Sequence, residues 1–151
     1  MSADNINTLV EVAIEVLERY AFMLGDPPGT KGGPAVLPEP SWIVTISFTG
    51  ARAGGIGVVV SPGLARQAAA NFYEDPQTED GDEQAQDAVK ELLNIVCGNY
   101  LHRVERNGRI VNLTTPSLQV ATLEAATRYV NGKPQAMLAV EGHPLLLFVE
   151  T

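Results

Sequence analysis

Apolar residues at Ile6, Leu9, Val10, Ala13, Ile14, Leu17 and Ala21 recur every three or four positions, and Glu11, Glu15 and Glu18 fall on the opposite side. That period predicts an amphipathic helix at the start of the chain. The pattern stops at "GDPPGTKGGPAVLPEP", Gly25 to Pro40, where Pro and Gly are dense enough to predict a loop. From Trp42 to Phe48 the residues turn β-branched and aromatic, and after "ARAGG" comes "IGVVV". Two such runs around a short glycine-containing connection predict a hairpin. "SPGLARQAAANFYE" opens on a serine and an early proline and is rich in Ala and Leu, which predicts a second helix.

The acidic "EDPQTEDGDEQ" carries turn formers and no core pattern, so it predicts a solvated loop; it lacks the spacing of a calcium-binding loop. The stretch "DAVKELLNIVCGNYLHRV", Asp87 to Val104, then predicts a third helix ending near Asn107. "RIVNLTTPSLQV" predicts a short extended segment or loop. Three strand-like pieces close the chain, around Leu123 to Val130, Gln135 to Val140 and Leu145 to Glu150, with "NGKP" and "EGHP" as the turns between them. The expected fold is α+β: an antiparallel or mixed sheet with helices packed on it, built by the whole of residues 1–151 as one domain.

Within the third helix, Val89, Leu92, Leu93, Val96 and Tyr100 cluster on one side and are expected in the core. Asp87, Glu91, Asn94 and Gly98 fall on the other side. Glu91 and Asn94, three residues apart, project side by side and can touch the same partner. Gly98 follows one turn beyond Asn94, where glycine costs a helix about 1 kcal/mol relative to alanine. Close approach of another backbone or surface would offset that cost. The stripe therefore reads as a face built to lie flat against something.

Composition narrows the partner. The chain is 45% hydrophobic and 19% charged, with a formal net charge of −8. An acidic surface disfavours nucleic acid and anionic membrane and suits a basic patch on another protein. No apolar run is as long as a membrane span, and the N-terminus has no basic leader, so the expected location is the cytoplasm. The "NLT" at Asn112 then has no glycosylation role. Neither His102 nor His143 sits in a ligand cluster. Cys97, the single cysteine, lies beside the apolar stripe with no activating histidine one turn before it, and reads as a packing residue. Trp42 and Phe48 alternate along a strand, as core or subunit contacts do. "GTKGG" lacks the spacing of a phosphate-binding loop.

"ELLNIVCGNYL" preceded by "DAVK", the earlier "ISFTG…GGIGVVVSPGLARQAAANFYE" and the later "NLTTPSLQV" together resemble the CheX-like chemotaxis phosphatases of the CheC/CheX/FliY group, which remove phosphate from the response regulator CheY. The resemblance implies that Glu91 and Asn94 are the functional pair, with Asp87 and Gly98 beside them at the partner surface. The first helix has no glutamate with an asparagine three residues on, so one motif per chain points to the CheX type. It also implies a phosphorylated CheY-like receiver domain as partner, no cofactor of the chain's own with Mg2+ supplied by the regulator, and a homodimer formed by edge strands. The apolar run from Leu123 to Val140 would permit such pairing.

An acyl phosphate already has a good leaving group; its slow hydrolysis lacks a water held in line and shielding of the developing charge. Asn94 can hold that water, although an amide is no strong base. Glu91 would repel the phosphoryl group, and the resemblance gives it another role, pairing with a lysine beside the phosphorylation site. A non-catalytic docking module for a signalling or flagellar-switch protein is the alternative. A purely structural oligomer is a third reading, in which Glu91 and Asn94 would be covered.

Overall fold

The apolar positions of the first segment wind into one helical stripe, forming α1, Ser2–Ala21. Leu9, Val12, Ala13, Val16 and Leu17 are buried along it while Glu11, Glu15 and Glu18 face solvent. The computed structural model describes residues 2–27, 36–73, 82–105 and 107–150. The expected loop between Gly25 and Pro40 needs one correction: β1, Gly25–Asp26, adds two residues to the sheet. Residues 28–35 of that loop, and residues 74–81 of the expected acidic loop, lie outside the described residues.

The predicted hairpin is present as β2, Ser41–Gly50, and β3, Gly54–Val60, in continuous antiparallel register from Trp42–Val60 to Phe48–Gly54. Helix α2, Pro62–Phe72, starts where Ser61 accepts a hydrogen bond from the Leu64 N–H at 3.0 Å. That bond satisfies a donor the first helical turn cannot. Helix α3, Glu83–Val104, begins one turn before Asp87 and ends three residues before Asn107. After it come β4, Val111–Leu113, and β5, Ser117–Ala121.

Leu123–Val130, expected as a strand, is instead helix α4. Thr122 caps it by accepting from the Ala125 N–H at 3.1 Å, and Glu124 pairs with Arg128 one turn on at 3.7 Å. Its buried residues, Ala126 and Val130, are four apart rather than alternating, so the segment has helical period in a window too short to advertise it. The strand-like run available for pairing between copies is correspondingly shorter than Leu123 to Val140. The last two expected strands are present as β6, Gln135–Val140, and β7, His143–Glu150.

Among the described residues the strands form one seven-stranded antiparallel sheet in the order β1-β6-β7-β3-β2, and the far side of β2 is shared by β4 and β5. Alternation along β2 divides the interior in two. Trp42, Val44, Ile46 and Phe48 enter the larger core with α1, α2 and α3. Ile43 points the other way and joins Val59, Leu146 and Phe148 beneath Ala126 and Val130 of α4. Trp42 and Phe48 are thus core residues, 3% and 4% exposed. No helix among the described residues is long and apolar enough to cross a membrane.

Candidate functional site

Helix α3 is held at both ends and along one side, which leaves its outer stripe in a defined position. At its start, Arg66 of α2 donates to both carboxylate oxygens of Asp82, at 2.7 and 3.0 Å. That hydrogen bonding, with the guanidinium charge, holds Asp82 below its usual carboxylate range. At its end, the Glu105 carboxylate, buried among its neighbours, accepts from Arg109 at 3.1 Å and lies 3.8 Å from Arg52 of the β2–β3 turn. Arg52 also donates to the Val104 carbonyl at 3.0 Å. On the flank, Arg103 donates to Glu15 of α1 at 2.6 Å.

Between these clamps, Ala88, Val89, Leu92, Leu93, Val96, Cys97 and Tyr100 are buried against the sheet and the other helices. Asp87, Glu91 and Gly98 are exposed, and Asn94 is half-buried. Among the described residues, neither the Glu91 carboxylate nor the Asn94 amide has a hydrogen-bond or ion-pair partner. Among the described residues, then, nothing pairs with either group, and Glu91 is open to solvent. A Cβ built on Gly98 meets nothing within 4 Å, so close packing among the described residues does not account for that glycine.

Folding adds what the helix alone does not contain. Asp87, Lys90, Glu91 and Asn94 form the floor of an open groove of about 660 Å³. The remaining lining is Phe72 and Tyr73, at the end of α2, and Leu113 to Pro116, the connection from β4 to β5. Leu113 is placed by pairing with Phe48. Thr114 is pinned to β2, its N–H donating to the Ser47 carbonyl at 2.9 Å and its hydroxyl accepting from the Ser47 N–H at 3.0 Å. Burial raises the Tyr73 phenol above its ordinary range, and the negative charges of Asp87 and Glu91 raise it further. Gly98 lies along the same stripe but outside the groove lining.

The groove brings together Asp87, Glu91 and Asn94 as the helical period implied. Sequence reasoning missed Lys90, Tyr73, Phe72 and the Leu113 to Pro116 wall. Lys90 was within reach, since it precedes Asn94 by four residues and shares its face. The others come from separate elements with no spacing rule linking them to α3. His102 is exposed and His143 stands at the start of β7; among the described residues no three metal-ligating side chains gather. Cys97 is fully buried, and desolvation pushes its thiol up to about 12, as suits a packing residue.

A family model described as chemotaxis phosphatase CheX matches residues 42–140, a span that contains all of α3. No curated protein sequence matches the chain. Among solved structures, the chain is similar to the chemotaxis protein CheX of Vibrio vulnificus, with a TM-score of 0.70 and 15% identity over 99% of this chain and 97% of that one. It is similar to a CheX from Desulfovibrio desulfuricans, with a TM-score of 0.70 and 17% identity over 97% of each chain. A third likeness is to a chain of the CheX–CheY–BeF3–Mg2+ complex of Borrelia burgdorferi, with a TM-score of 0.68 and 17% identity over 98% of this chain and 97% of that one. At these identities the likeness is one of fold.

Proposed function

The chain belongs to the chemotaxis phosphatase CheX family, and from that premise we propose that it hydrolyses the aspartyl phosphate of a CheY-like response regulator. The observation that carries this reading is that the exposed Glu91 and the half-buried Asn94 lie side by side, without a partner among the described residues, on a helix anchored at both ends. A rigid helix with two free polar groups can enter another protein's active site and supply what that site lacks.

In this mechanism Asn94 holds a water in line with the phosphorus. The water oxygen attacks, the bond from phosphorus to the aspartyl oxygen breaks, and the products are a carboxylate and inorganic phosphate, with the water's proton leaving to phosphate or solvent. Glu91 pairs with a lysine of the regulator and fixes the depth of docking. Asp87 and the bare Gly98 backbone extend the contact along the same stripe. The metal belongs to the regulator, and its chemistry is to neutralise charge on the phosphoryl oxygens. An amide is too weak a base to take the water's proton, so in this reading Asn94 orients the water and does not deprotonate it. Two copies of the chain pair through sheet edges in the same reading.

The test mixes the protein with a phosphorylated receiver domain and Mg2+ and follows decay of the phosphoaspartate. Asn94→Ala is expected to reduce the acceleration about a hundredfold while leaving the melting curve unchanged. Full activity in that variant would overturn the mechanism. Receiver binding by the native chain with no faster decay would instead mark a docking module.

A further inference from the structure

Two exposed carboxylates, Asp87 and Glu91, stand four residues apart on α3, where like charges repel one another. Neither forms a salt bridge among the described residues, and Lys90 between them forms none either. Their charge is left for something outside the described chain to neutralise. Beside them, α2 ends in Phe72 and Tyr73, whose rings meet edge to face at 5.2 Å and 79°. Each packs partly against the core and is half-buried, and each also lines the groove with Asp87 and Glu91. Burial first, and then the nearby charges of Asp87 and Glu91, raise the Tyr73 phenol above its ordinary range.

We propose that the Phe72–Tyr73 end of α2 is a second docking element, separate from the Glu91–Asn94 pair, which receives a basic surface segment of the response regulator. This rests on the phosphatase reading for the identity of the partner. Charge and shape select the occupant. A lysine or arginine can lay its methylenes along the aromatic wall and carry its cation to Asp87, a combination that neither an acidic nor a purely apolar segment could use. The whole chain's net charge of −8 favours approach of the same partner. Tyrosine is also among the residues that most often dominate binding energy at interfaces. Phe72 and Tyr73 thus set affinity for the regulator, while Asn94 sets the rate of the chemical step.

The experiment measures phosphoaspartate decay over a range of receiver concentrations, together with titration of the protein by a receiver loaded with beryllofluoride and Mg2+. Tyr73→Ala is expected to raise KM and Kd about tenfold with kcat within about twofold of native. Asp87→Lys, at an exposed position that folding tolerates, is expected to raise KM similarly and to flatten its salt dependence. An unchanged KM in either folded variant, or a fall in kcat alone in Tyr73→Ala, would overturn the inference. The arms separate the two readings. If the native chain binds the receiver without speeding decay, the phosphatase reading fails and the Kd values still judge Tyr73. If the native chain does not bind the receiver, both fail.

Discussion

Tyr129 shows how one side chain's surroundings become a measurable pH dependence. Its hydroxyl donates to Glu150 at 2.6 Å, its ring meets Phe148 edge to face, and the Lys133 ammonium lies over it at 4.8 Å. Burial first, then the hydrogen bond and charge of Glu150, push the phenol from 10.0 up to about 12. Because the folded value is the higher one, the stabilisation is complete below about pH 10 and is lost as pH rises through about 12. Tyr129→Phe is therefore expected to be less stable than native at neutral pH, with the difference closing between pH 10 and 12. Denaturant midpoints measured across that range check it; a constant difference would mean the phenol titrates alike in both states.

At the scale of elements, α3 is placed by its ends. Glu105 has 5% of its side chain exposed, and Arg109 and Arg52 approach the carboxylate from the segment that follows α3 and from the hairpin turn. Removing one member of a buried charge pair leaves the others under-satisfied, which costs more than the pair's net contribution. Arg109→Ala leaves the buried Glu105 carboxylate with Arg52, at 3.8 Å, as its remaining cation among the described residues, and is expected to cost about 3 kcal/mol. Glu105→Ala leaves two partly exposed arginines that water can reach, and should cost less. Urea unfolding curves of the two variants give the comparison. Equal, small losses would show that the clamp contributes little.

For the molecule as a whole, exposed apolar residues stand at both margins of the sheet, with Phe22 and Leu24, 75% and 66% exposed, just before β1 at one of them. Ile110, Leu113 and Val120 are 77%, 40% and 61% exposed, and all lie on or beside β4 and β5, at the other margin. A strand edge with exposed apolar side chains favours pairing with another strand. If the proposed dimer uses this margin, the native chain should run as a dimer in size-exclusion chromatography with light scattering, and Val120→Lys should shift it toward monomer. A native monomer at micromolar concentration would remove the dimer from the reading. Because Leu113 also lines the groove, pairing at this margin would bring the second copy close to the docking face.

What the sequence determined by itself was local. The 3.6-residue period of α3 separates Val89, Leu92, Leu93, Val96 and Tyr100 from Asp87, Glu91, Asn94 and Gly98, and the folded chain keeps that division. Ser61 before Pro62 marked the start of α2, and the paired β-branched runs marked the hairpin, because capping and strand alternation act over a few neighbouring residues. Tertiary structure decided the rest. Leu123–Val130 is a helix because Ala126 and Val130 can cover Ile43, Val59, Leu146 and Phe148, residues spread over three strands. Gly25–Asp26 counts as a strand only because Val140 and Ala139 lie beside it. The groove walls are set by the pairing of Phe48 with Leu113 and by the packing of α2 on α3. Register and packing between distant segments depend on which surfaces meet after collapse, and no periodicity within a single segment encodes that.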